Sequence, residues 1–225
     1  MDWSAIVLSL RLATATTLVL LVVGLPFAGW LALSRGRGRW AIDALVALPL
    51  ILPPTVLGFY VLVALGPRSP IGRVYEATTG TPIVFSFPGL LIASILYSLP
   101  FAVQPFAAAF AAVDRNLIET AWCLGASRVR TFARVVVPLA RPGIIAGAVL
   151  TFAHTVGEFG VVLMVGGNIP GSTRTVSISI YDDVQAFNYA RAGRTAALLL
   201  VFSFVVLAMT YRVQRRSGRS WPLVS

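Results

Sequence analysis

Along most of this chain, apolar residues neither alternate with polar ones nor recur at a helical spacing. They run on without interruption. Five stretches, 6–33, 40–65, 85–113, 143–165 and 195–211, carry at most one charged residue each. At a rise of about 1.5 Å per residue, each is long enough, or nearly so, to cross a hydrocarbon layer of about 30 Å as a helix. The pattern predicts an all-α polytopic membrane protein of about five transmembrane helices, with residues 1–225 forming one transmembrane domain. The first stretch is too long, and its start too poor in positive charge, for a cleavable signal. It is expected to remain as a mature helix with Arg11 reaching toward one interface. No internal repeat is evident, so an inverted-repeat transporter gets no support.

Composition narrows the chemistry. The chain is 57% hydrophobic and 12% charged, with a mean hydropathy of +0.85, too little polar surface to coat a soluble globule. Its net charge of +10 comes from arginine alone, because the sequence has no lysine. That excludes a P-loop lysine and a Schiff-base lysine, so this polypeptide cannot bind ATP through a Walker A loop. A single cysteine, Cys123, excludes an internal disulfide or a thiolate cluster, and a single histidine, His154, excludes a multi-histidine metal site within one chain. No catalytic residue, metal site or cofactor is expected. The arginines flank the spans, which points to the lipid bilayer as their partner and gives no reason to expect nucleic acid.

The placement of those arginines predicts orientation, since basic residues near helix ends stay on the cytoplasmic side. Placing Arg35, Arg37 and Arg39, the central loop with Arg115, Arg128, Arg130, Arg134 and Arg141, and the tail with Arg212, Arg215, Arg216 and Arg219 inside leaves six of the 18 basic residues outside. The amino terminus is then outside and the carboxyl terminus cytoplasmic. The connectors 66–84 and 166–194, rich in Gly, Pro, Ser and Thr, become the outer loops. Pro49, Pro53 and Pro54 in the second span, and Pro100 and Pro105 in the third, should kink or unwind their helices. Two readings stay open for them: ordinary tolerance of proline in membrane helices, or a curved wall around a pathway.

The longest polar stretch in the middle of the chain, about 114–138, reads as two short helices. Asp114 or Asn116 caps the first, Gly125 supplies a turn, Ser127 caps the second and Pro138 closes it. Leu117, Ala121 and Leu124 share a face of the first, and Val129, Phe132 and Val136 a face of the second, leaving Arg128, Arg130 and Arg134 to point elsewhere. This amphipathic L suits either anionic lipid headgroups or a cytoplasmic protein partner.

Glu119-Thr120-Ala121, three residues, Gly125, nine residues, then Val135-x-Val137-Pro138 resembles the EAA loop of ABC importer permeases, E-A-A-x3-G-x9-I-x-L-P. The chain departs from that form at Thr120, Val135 and Val137. The resemblance implies a type I ABC importer permease fold, with this loop as the coupling helix seated in a cleft of a cytoplasmic ABC ATPase. Glu119, Thr120, Ala121, Gly125, Ala126, Ser127, Arg128 and Pro138 are then the ATPase-coupling residues. "HTVGEFGVVLMVGGNIPGSTRT", from His154 to Thr175, is similar to the fourth-to-fifth helix region of molybdate permeases, and "LPLILPPTVLGFYVLVALGPRSPIG", from Leu48 to Gly72, looks like their second helix and outer loop. Sulfate and tungstate permeases share the loop but usually differ around the Asn-Ile-Pro-Gly turn. The resemblance further implies an extracytoplasmic molybdate-binding protein, a separate ATPase subunit that holds the nucleotide, and a second copy of the chain in a homodimer. Five helices alone enclose a pathway with difficulty, which favours two copies independently.

Two features stand apart from the loop. Glu158 is an acid within a span, one turn after His154, and the pair could serve packing or a dimer seam, line a pathway, or begin a metal or proton site. Residues 166–171, Gly-Gly-Asn-Ile-Pro-Gly, could form a backbone nest for an anion or a plain outer turn.

Overall fold

A computed structural model describes residues 1–33, 36 and 38–216, with side chains as far as Arg212. Arg35, Arg37 and Arg219, which enter the arginine balance, lie outside the described residues, as do the side chains of Arg215 and Arg216. Every regular element among the described residues is helical. Four helical stretches among the described residues are long and apolar enough to cross a membrane, and there are five if a bent pair is counted as one span.

Helix α1 spans Trp3–Leu33, α5 spans Phe87–Ala111 and α8 spans Val137–Gly157. These three pack on one another and make the centre of the molecule. Phe106 and Phe110 of α5, with Leu20 and Ala28 of α1 and Val136 and Ala140 near the start of α8, form its largest buried apolar cluster. A side chain as large as Phe106 fits because Gly147 of α8 leaves room: a Cβ there would lie 2.6 Å from the ring. Hydroxyls stitch the same helices. Ser98 Oγ of α5 lies 2.9 Å from Thr155 Oγ1 of α8, and Thr151 and Thr155 donate back to carbonyls one turn earlier. Each satisfies within the helix a polar group that lipid would leave unpaired.

The second span is broken. Helices α2 (Arg39–Ile51) and α3 (Pro54–Leu65) meet at 110°. Adjacent prolines explain the break, because each disfavours the helical region for the residue before it and two in succession remove two ladder donors. Leu52 precedes Pro53 and Pro53 precedes Pro54, and both are extended, with ψ of 136° and 135°. Pro49 sits inside α2, while Pro100 and Pro105 lie within an α5 that runs through without interruption. The expected interruption is therefore met at 52–53 and not in the third span. The fourth span also differs from 143–165. It starts at Arg128, passes through one π turn and ends at Gly157, after which the short α9 (Gly160–Gly166) continues. Helices α3 and α9 pack closely: a Cβ on Gly58 would lie 2.7 Å from Met164 Cβ, and one on Gly160 would lie 2.6 Å from Pro54 Cβ.

The connectors 66–84 and 166–194 are not plain loops. The first holds α4 (Pro70–Thr79), capped by Ser69 and closed by left-handed Gly80; the second holds α10 (Val176–Gln185). Ser9 Oγ of α1 accepts the Val176 amide, tying α10 to the first span. The last span belongs to α11 (Tyr189–Arg216), longer at both ends than 195–211 and the least covered of the spans.

Candidate functional site

The loop from Asp114 folds as two short helices, α6 (Arg115–Cys123) and α7 (Arg128–Thr131), and local chemistry accounts for each boundary. Asp114 Oδ1 accepts the Asn116 amide at 2.9 Å, and Ser127 Oγ accepts the Arg130 amide at 3.3 Å. Between them the chain makes a Schellman turn: Ala126 N–H donates to Ala121 O and Gly125 N–H to Trp122 O, at 3.0 and 2.9 Å. Gly125 sits at φ +81°, a left-handed conformation that glycine adopts without steric cost. Ala121 and Ala126, the residues that clasp the turn, are both half-buried.

One expectation about this region fails. Pro138 does not close the second helix. It lies in the first turn of α8, and α7, the π turn Phe132–Val136 and α8 form one continuous helical rod. Proline has no amide hydrogen to give the preceding turn, and the π turn just before it is where the helical ladder widens to make room for the ring. The side of α6 that meets the core is not the one its leucines share. Ile118 is only 5% exposed and joins Phe110, Val113 and Val136 in the core, whereas Leu124 is 83% exposed and Leu117 also faces outward. Val129 of α7 is 79% exposed, whereas Val136 is buried and Phe132 partly so. In a chain this apolar, spacing alone does not reveal which side of a short helix meets the protein.

The result is a loop anchored by Ile118 and Val136 that presents Leu117, Trp122, Leu124 and Val129 unpartnered among charges. Glu119 and Thr120 are exposed, and Glu119 Oε1 accepts from Arg115 Nε at 3.1 Å. Arg128 stands at the rim of a groove of about 610 Å³ between the end of α1 and α7, lined by Pro26, Trp30, Leu33, Val129 and Phe132. Structure thus brings together Glu119, Thr120, Ala121, Gly125, Ala126, Ser127 and Arg128 and leaves Pro138 on the adjoining rod. Ile118 and Trp122 went unread because they lie off the face that Leu117, Ala121 and Leu124 share.

His154 and Glu158 do not act as a pair. The helix ends at Gly157, so Glu158 is extended, and its Oε1 accepts the Val161 amide at 2.8 Å, holding the start of α9. His154 Nδ1 lies 3.1 Å from Ser98 Oγ, and its ring stacks on Phe101 at 3.8 Å with Tyr97 at 5.0 Å. Both serve helix packing, and no group of three or more metal-ligating residues occurs among the described residues. The 166–171 segment is a plain turn. Asn168 donates to Asp182 and accepts from Arg174, and the Ile169 carbonyl takes three amides. At the same end of the molecule, burial pushes the Asp2 carboxyl up, but hydrogen bonds from Ser4 and Ala5 and the nearby Arg174 charge outweigh it and hold it below the usual range.

A family model described as "Binding-protein-dependent transport system inner membrane component" matches residues 24–219. The chain belongs to that family. This inner-membrane component is 55% identical to the molybdenum transport system permease protein ModB of Azotobacter vinelandii over 95% of both chains. It is 36% identical to the ModB of Escherichia coli strain K12, over 92% of this chain and 89% of that one. Among solved structures it resembles an inward-facing form of the MetNI methionine ABC transporter, with a TM-score of 0.76 at 18% identity over 97% of each chain. A bacterial alginate ABC transporter gives the same score at 19% identity, over 96% of this chain and 79% of that one. The fold is that of a type I ABC importer permease, and the protein is a multi-pass membrane component.

Proposed function

We propose that this chain is the permease subunit of an ATP-driven importer for molybdate, working as a homodimer with a separate cytoplasmic ABC ATPase and an extracytoplasmic molybdate-binding protein. The cargo reading is carried by the 55% identity, over nearly the whole of both chains, to a permease named for molybdenum transport. The absence of lysine supports the division of labour, since the nucleotide then has to be held by another polypeptide.

The coupling site is the loop 114–138. A left-handed turn at Gly125 fixes the angle between α6 and α7, and the exposed Leu117, Trp122, Leu124 and Val129 offer a compact apolar contact rimmed by Glu119, Arg115 and Arg128. Such a patch, small and mixed with charge, suits a docking cleft better than bulk lipid. Because α7 runs through the π turn into α8, displacement of the loop by a closing ATPase dimer passes directly into a membrane-spanning rod and on to the α1 and α5 helices packed against it. In this reading the loop and the carboxyl terminus are cytoplasmic and the amino terminus is outside, which the arginine distribution supports. The ion is released by the binding protein into an outward-facing cavity between the two copies, and closure reverses access.

The test is reconstitution. Proteoliposomes containing this chain, its ATPase and its binding protein should accumulate molybdate only with ATP inside and only with the binding protein present. Uptake without the ATPase subunit would overturn the reading and indicate a channel or secondary transporter.

A further inference from the structure

We propose that Phe132 is the positioning residue that hands motion of the coupling loop to the first span, by seating its ring in a notch that Gly29 leaves in α1. The inference rests on the coupling reading above and adds its output. Phe132 is the first residue of the π turn and directly follows α7, so its ring is carried by the segment that begins at the Ser127 cap. A Cβ built on Gly29 would lie 2.5 Å from one Cε and 2.8 Å from Cζ of that ring. The ring therefore fills the place of a side chain on α1, and any residue with a Cβ would force it to shift. Its other contact is Phe110 of α5, with ring centroids 5.2 Å apart and planes at 68°. One side chain of the loop thus interlocks with two of the three central helices.

What distinguishes this contact from ordinary packing is the empty space beside it. The groove of about 610 Å³ opens next to Phe132, bounded by Pro26, Trp30 and Leu33 of α1 and by Val129. A ring held by a notch on one side and free on the other pushes α1 when the loop moves along it, because a knob in a hole does not slide. It can also be displaced into the groove without unfolding its surroundings. Phe106 and Gly147 provide a comparison of similar closeness, 2.6 Å from the would-be Cβ, that joins α5 to α8 without touching the loop.

The experiment measures ions imported per ATP hydrolysed, in complexes that copurify intact with the ATPase and are driven by loaded binding protein. Gly29→Ala and Phe132→Ala should each lower this ratio at least about fivefold while hydrolysis continues, the scale of an ordinary coupling free energy. The double variant Gly29→Ala/Phe132→Leu should recover most of it, since leucine lacks the outer ring atoms that the new methyl displaces. Gly147→Ala should lower thermal stability at an unchanged ratio. Native ratios in both single variants, or a double variant no better than the worse single one, would overturn the inference. Gly125→Val in the same series separates the two levels. If it alone uncouples, the Phe132 contact is refuted and the coupling site stands; if it too transports at the native ratio, the coupling site falls.

Discussion

Gly125 is the position where backbone geometry makes the sharpest claim. At φ +81° it closes the Schellman turn between α6 and α7, and a Cβ placed there would meet no heavy atom within 4 Å. Crowding therefore adds nothing to the effect of a substitution, and the whole cost is the intrinsic strain of an L-residue in the left-handed region, about 1–2 kcal/mol. At about 1.4 kcal/mol per factor of ten, that reduces the population of the bent turn roughly five- to thirtyfold. The series Gly125→Asn, →Ala, →Val should be graded. Asparagine tolerates the conformation best, alanine pays the plain Cβ penalty, and the β-branched valine is worst. Because the loop is exposed, melting of the purified complex should shift little across the series, whereas molybdate imported per ATP hydrolysed should fall in that order. Equal ratios for glycine and valine would refute the claim that the bend angle transmits the stroke. An asparagine variant as poor as valine would refute the claim that φ is the cause.

Other consequences are testable at single positions. Glu119→Lys should abolish docking-dependent transport while leaving stability nearly unchanged, because the exposed Arg115–Glu119 pair is worth at most about 1 kcal/mol; copurification with the ATPase and uptake read the two effects separately. In a Cys123→Ser background, a cysteine at Ser172 should react with an impermeant thiol reagent in intact cells and one at Ser127 should not; labelling at 127 from outside would reverse the topology. With the native binding protein, tungstate should compete with molybdate far better than sulfate does, and equal suppression by sulfate would remove the cargo assignment while leaving the importer reading in place.

What the sequence made legible is what short-range chemistry controls. Asp114, Gly125 and Ser127 each act through a hydrogen bond or dihedral within a few residues, and all three take the places their residue types predict. Pro53 and Pro54 break the second span for an equally local reason. The failures arise where a distant neighbour decides. Ile118 was chosen over Leu117 for burial by the pocket that Phe110, Val113 and Val136 leave, which no spacing within α6 encodes. Pro138 reads locally as a stop, but the π turn before it accommodates the ring and lets the rod continue. Glu158 and His154 looked like one helical face only on the assumption that the helix ran past Gly157.

The 110° bend between α2 and α3 bears on how the chain enters the membrane. Thirteen and twelve residues give helices of roughly 20 and 18 Å, and neither can cross a hydrocarbon layer of about 30 Å by itself. Nor can the pair pass as one straight segment, because Pro53 and Pro54 have no amide hydrogens to give the carbonyls of Pro49 and Leu50, which lipid cannot satisfy either. Helix α3 is completed by α9, whose first residue, Gly160, receives Pro54 and is synthesised long after it. The second span thus reaches its final contacts only after α9, encoded far downstream, has been synthesised.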